Sequence, residues 1–206
     1  MRIAKSLSPL AVVLFMSACG GPAPEESSSL ATLEHELSSG VSRGCTFTTT
    51  YREVVIPHGY VPIIKRKASS TCPWEAATLE LEMTYSIPNF VVVANDTGVA
   101  VAYATLYSPS AKATSRLSLW HVAPDTLSVV RAESLASYGE YSSRDITNIQ
   151  LSWLSDGTTL KVKGRQSEDG AIPGQTGSGT YFVATWPDFF TSTTPASIIA
   201  SPVWIP

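Results

Sequence analysis

From Cys45 onward, apolar and polar side chains alternate along this chain with a period of two, and that rhythm constrains its fold more than any other feature. In Leu79-Glu80-Leu81-Glu82-Met83-Thr84-Tyr85 the apolar groups fall on one face and the polar ones on the other, the pattern of a half-buried strand. Phe90 to Ala94, the turn residues Asn95-Asp96-Thr97-Gly98, and Val99 to Tyr107 predict a hairpin, because Asn, Asp and Gly accept the left-handed angles of a tight turn. Its second strand places Val99, Val101, Tyr103, Thr105 and Tyr107 on one face and Ala100, Ala102 and Ala104 on the other, small residues that suit a closely packed neighbouring layer. Two more hairpins follow. Arg116 to Val122 turns at Pro124-Asp125 into Leu127 to Ala132, and Ile146 to Leu154 turns at Asp156-Gly157 into Thr159 to Lys163. Tyr181 to Trp186 reads as a further strand, and Ile198 to Trp204 closes the set, with a Gly-rich loop over Asp169 to Gly179.

Turns recur about every 8 to 12 residues and antiparallel alternation dominates, which predicts an all-β domain over residues 45–206: an antiparallel β-sandwich of about nine or ten strands in two sheets. A small barrel and an incomplete propeller are the alternatives. The hairpin from Leu151 to Val162 resembles that of a β-propeller blade, but it covers a dozen residues and does not repeat at the roughly 40-residue period of a propeller. Two segments leave room for a helix. Thr71-Cys72-Pro73-Trp74-Glu75 has the order of a helix cap, and Ala132 to Tyr138 carries a weak 3.6-residue period.

The start of the chain has a different grammar. MRIAKSLSPLAVVLFMSAC begins basic, runs apolar from Leu10 to Met16 and ends in small residues before a cysteine, as secretory signals do. The apolar run is far shorter than the roughly 20 residues that span a bilayer, and charge, Gly or Pro breaks every later one. Met16-Ser17-Ala18-Cys19 resembles the lipobox of bacterial lipoproteins, with Met16 where that family favours Leu. The resemblance implies a signal peptide over 1–18, cleavage before Cys19 and acylation of its thiol, hence a partner membrane reached through the N-terminal lipid. More than one acyl chain is needed for stable anchoring, and a triacylated cysteine meets that requirement. Gly20 in place of Asp after the cysteine implies, within the same family, release toward the outer membrane. Cleavage near Gly21 by an ordinary signal peptidase is the alternative. Residues 19–44, rich in Gly, Pro, Ser and Glu, read as a flexible tether, with Leu30, Leu33 and Leu37 spaced for a short transient helix.

If Cys19 carries lipid, Cys45 and Cys72 remain. An exported chain meets an oxidising compartment, so the pair is expected to form a disulfide, two free thiols being the alternative. Closing a loop of about 28 residues contributes roughly 3 to 4 kcal/mol on the chain-entropy model.

Catalytic signatures are sparse. No Gly-x-Ser-x-Gly elbow occurs, and Gly174 to Gly179 has the glycines of a phosphate cradle without the Lys-Ser/Thr ending or a following helix. His35-Glu36 lacks the second histidine of a zinc-protease helix, since position 39 is Ser39. His58 sits in a Pro-Gly loop, and His121 shares a strand face with Leu117 and Leu119, as a histidine at a sheet margin would. Glu80 and Glu82 share the polar face of their strand and read as solvated, not as a glycosidase pair. Asp125, Asp156 and Asp169 occupy turns, and Glu168-Asp169 alone is too small a set for calcium. No metal or cofactor is expected.

The whole chain has a formal net charge of −3, and the leader takes Arg2 and Lys5 with it, so the body is more acidic still and a nucleic-acid partner is not expected. Five Trp and eight Tyr are more suggestive, because aromatic platforms on a β-sandwich stack on sugar rings while neighbouring polar groups bond the hydroxyls. Trp153 belongs to the core face with Ile149 and Leu151, whereas Trp120 lies opposite Leu117 and Leu119. Trp120, Tyr103 and Tyr107 are therefore the candidate binding residues. The function expected is a lipid-anchored cell-envelope protein with a non-catalytic binding or structural β domain, engaging an envelope glycan or protein. A secreted hydrolase and a carbohydrate-binding module are the alternatives.

Overall fold

The computed structural model describes residues 38–56, 58–106, 115–137, 146–166 and 172–206. Within them all regular structure is strand, in three open sheets. The first contains β1 (Ser38–Ser42), β2 (Cys45–Val54), β3 (Gly59–Lys67) and β4 (Ala77–Glu80) in sequence order. The second contains β5 (Asn89–Asn95), β6 (Gly98–Leu106), β7 (Ser115–Val122) and β8 (Val129–Ser137), also in sequence order. The third runs β11 (Thr176–Gly177), β13 (Ser197–Ser201), β12 (Tyr181–Trp186), β10 (Leu160–Arg165), β9 (Thr147–Trp153). Every pairing is antiparallel except the short β11 with β13.

The expected all-β, antiparallel sandwich is present, with more layers and more strands than the alternation announced. There are 13 strands among the described residues instead of nine or ten, the additions including short pieces such as β1, β4 and β11. No sheet closes into a barrel. The second sheet lies between the other two, so its central strand is buried on both faces. Val99, Val101 and Tyr103 of β6 share a core with Cys45, Phe47 and Ile64 of the first sheet. Ala100, Ala102 and Ala104 share another with Leu160, Val162, Phe182 and Trp186 of the third. The alanines leave space for the large rings opposite, which lets two sheets approach without voids.

The hairpins over β5–β6, β7–β8 and β9–β10 form at the expected turns. The Thr71–Glu75 segment is not helical, and the expected period at 132–138 gives way to the strand β8 through Ser137. Alternation over 79–85 is only partly strand: β4 ends at Glu80, and Thr84 forms a separate bridge to Tyr60. Ser38–Ser42, the end of the segment read as a tether, pairs with β2 across a two-residue turn at Arg43-Gly44, both at positive φ. Two links brace this sheet, one within it and one to the second sheet. Cys45 and Cys72 form a disulfide, S–S 1.97 Å. The buried Arg66 guanidinium donates to the carbonyls of Glu75 (2.8 Å), Pro124 (2.7 Å) and Asp125, tying β3 to the β7–β8 turn. Among the described residues no helix is long and apolar enough to cross a membrane.

Candidate functional site

Alternation along β10 sends Leu160, Val162 and Gly164 into the core and Lys161, Lys163 and Arg165 to the outer face of the third sheet. Tyr181, Val183 and Thr185 of β12 stand beside those cations in register. After β13 the chain folds back over this face. Trp204 meets Tyr181 edge to face at 5.5 Å between centroids, and Lys161 Nζ donates to the Pro206 carbonyl at 3.4 Å. Lys163 Nζ lies 5.6 Å from the Trp204 ring centroid and the Arg165 guanidinium 5.3 Å from that of Tyr181, both within cation–π range.

The neighbouring strand is bent here. Gln150 pairs with Lys163 and Thr147 with Arg165, so Asn148 and Ile149 together oppose the single Gly164. This is a β-bulge, and Asn148 takes the left-handed φ of 52° that Asn tolerates better than most residues. Gly164 is required by close approach: a Cβ there would stand 2.7 Å from the buried Phe182 ring. The bulge turns the β9 amides toward the aromatic pair.

The result is an open groove of about 540 Å³, whose lining includes the amides of Asn89, Asn148 and Gln150, the Arg165 guanidinium, and the rings of Tyr181 and Trp204. That volume falls in the usual range for ligand sites, roughly 300–1,000 Å³. Among the described residues the lining contains no imidazole, thiol or carboxylate. Partial desolvation, and then the charge of neighbouring Lys161, hold the Lys163 pKa below its ordinary value. A second concavity, by Phe190 and Asp188, measures only about 40 Å³ and has room for a few waters.

The residues singled out in the sequence lie elsewhere. Tyr103 is 1% exposed in the core between the first and second sheets, and burial raises its pKa, so it offers no surface to a ligand. Trp120 is half-buried and stacks on Tyr103 at 6.3 Å with rings 5° from parallel, so it packs where a binding face was expected. The register places both residues on one face of the second sheet, and the first sheet covers that face. Tyr107, Cys19, Leu30, Leu33, Leu37, His35, Glu168 and Asp169 lie outside the described residues.

His121 packs at 4.4 Å from the Phe190 ring, with burial and the Arg131 charge both lowering its pKa. Exposed His58 stands 3.7 Å from Glu53. Glu80 accepts from Arg52 through both carboxylate oxygens, at 3.2 and 3.0 Å, and Glu82 is exposed. Asp125 accepts from the Thr126 amide, and Asp156 from Thr158 and Thr159, which lowers the Asp156 pKa and accounts for both residues as turn formers. Of the glycines at 174–179, Gly174 belongs to a turn, Gly177 to β11 and Gly179 to the bend that follows. Among the described residues no three His, Cys, Asp or Glu side chains gather as metal ligands.

Tyr181, Trp204 and Asn148 were not singled out by the sequence. Gly164 inside an otherwise regular strand is a signal that could have found them, since an interior strand glycine commonly marks a bulge. Comparison with known proteins finds no match: no family model fits the chain, and no curated protein or solved structure is significantly similar to it.

Proposed function

We propose that this chain is a non-catalytic saccharide-binding domain of a bacterial cell envelope, anchored by lipid on Cys19, with the groove beside Tyr181 and Trp204 as its ligand site. One observation carries the binding half: two partly exposed aromatic rings share an open groove with three primary amides. A sugar presents an apolar C–H face for a ring to stack on and a rim of hydroxyls. Each amide has both a donor and an acceptor to bond adjacent hydroxyls. Glycoside cleavage generally needs two carboxyl groups across the scissile bond, and among the described residues the groove offers amides, rings, a guanidinium and Ile149, which supports the binding reading. The anchor rests on the resemblance of residues 16–19 to a lipobox.

Two experiments test the two halves. Cells expressing wild type are expected to incorporate labelled palmitate into the protein, and Cys19→Ala is expected to lose the label and release the domain in soluble form. Full-length protein in detergent is expected to bind immobilised envelope polysaccharide, with Trp204→Ala reducing retention about tenfold or more, in line with roughly 1–3 kcal/mol for a ring stacked on a planar partner. Equal retention of the variant contradicts the assignment of the groove.

A further inference from the structure

We propose that the saccharide this groove takes is acidic, a uronic-acid polymer whose carboxylate lies between Lys163 and Arg165. The inference rests on the reading of the groove as a saccharide site and deepens it. The chain as a whole is acidic, at −3, yet Lys161, Lys163 and Arg165 occupy successive outward positions of one strand. Several cations on the other sheets are answered within the protein: Arg52 by Glu80, Arg131 by Glu133, and Arg66 by three carbonyls. Among the described residues no carboxylate lies within ion-pair distance of Lys163 or Arg165, whose contacts are the faces of Trp204 and Tyr181.

Outward side chains two apart on a strand are separated by about 7 Å, so an anion between them meets both charges at once. The Arg165 guanidinium, exposed at the groove wall, presents a planar fork suited to bidentate carboxylate binding. A cationic aromatic face also attracts single-stranded nucleic acid and anionic membranes. The amides of Asn89, Asn148 and Gln150 favour sugar, since they match hydroxyls and add nothing to phosphate neutralisation.

The test is isothermal titration of the full chain in neutral detergent micelles with oligogalacturonate and oligoalginate, each beside its methyl ester, in which the same sugars lose their charge. Sulfated dextran, oligo-dT and phosphatidylglycerol vesicles form the remaining arms. The acidic oligosaccharides are expected to bind at least about tenfold tighter than their esters. That affinity is expected to fall about tenfold or more between about 50 and 500 mM salt, as solvent-exposed charge contacts are screened. Lys163→Gln and Arg165→Gln are each expected to weaken binding several-fold. Arg52→Gln, which removes the same charge from the first sheet, is expected to leave it unchanged.

Equal binding of ester and acid overturns the acidic ligand while leaving the groove a saccharide site. Tighter binding of sulfated dextran, oligo-dT or vesicles overturns the carboxylate assignment in favour of that class. Failure of every saccharide arm, with Trp204→Ala without effect, overturns the groove reading itself.

Discussion

Trp204 stands edge to face against Tyr181, 5.5 Å between centroids, although one belongs to the segment after the last strand and the other opens β12. The contact makes the end of the chain a wall of the groove. Trp204 remains 39% exposed, so it secures less apolar burial than a core tryptophan. Trp204→Ala is expected to lower the melting temperature by only a few degrees, roughly 1–2 kcal/mol for partial burial, while binding suffers far more. Differential scanning calorimetry beside a titration separates the two effects. A collapse of the fold would mean that the segment is structural first.

The bulge gives a paired prediction. Gly164→Ala forces a methyl to within 2.7 Å of the Phe182 ring, and overpacking of this kind costs about 1–3 kcal/mol. Asn148→Gly keeps the left-handed backbone and removes the amide, so stability is expected to change by less than about 1 kcal/mol while saccharide binding weakens. Urea denaturation of both variants checks this. Equal losses of stability contradict the account of the bulge.

The disulfide closes a sequence separation of 27 residues at the edge of the first core. Replacing both Cys45 and Cys72 by Ala is expected to cost about 3 to 4 kcal/mol. In a domain of this size the melting temperature then falls by roughly 10 °C. Thermal melts of the double variant measure it, and a change under about 2 °C would show that the bridge adds little beyond packing.

His121 makes stability depend on pH. Burial first, and the Arg131 charge second, lower its folded pKa; Phe189 and Phe190 line its other sides, and Glu133 holds Arg131. The unfolded chain takes up this proton near pH 6.5 and the folded chain only below that. The contribution is therefore fully present above about pH 6.5 and declines as pH falls through that value toward the folded pKa. His121→Leu is expected to flatten the fall in melting temperature between about pH 7 and 5. Asp156, whose pKa is also lowered, acts only below its ordinary 3.8. Identical slopes in wild type and His121→Leu contradict the assignment.

The hairpins were legible because their determinants are local. Asn95 accepts from the amides of Thr97 and Gly98, and Asp156 from those of Thr158 and Thr159, so these turns form wherever the strands go. The layering was only half legible. Val99, Val101 and Tyr103 alternate with Ala100, Ala102 and Ala104, and the small residues announced a neighbour on their side, but nothing local says that a further sheet covers the opposite side. That sheet is what buries Tyr103. The groove was hidden because its parts, Asn89, Asn148, Arg165, Tyr181 and Trp204, come from segments far apart in sequence. Gly164 and the cations along β10 are its local traces in the sequence.

The central claim, that the groove between the β9 bulge and the Tyr181–Trp204 pair receives a saccharide, is tested most directly by nuclear magnetic resonance of the full chain titrated with oligogalacturonate. The account predicts that the Trp204 indole and the side-chain amides of Asn148 and Gln150 shift together and saturate, while Trp120 and Tyr51, which packs edge to face on Tyr60 in the first sheet, stay still. Saturable shifts at Trp120 or Tyr51 with a silent groove, or no shift anywhere, would contradict it.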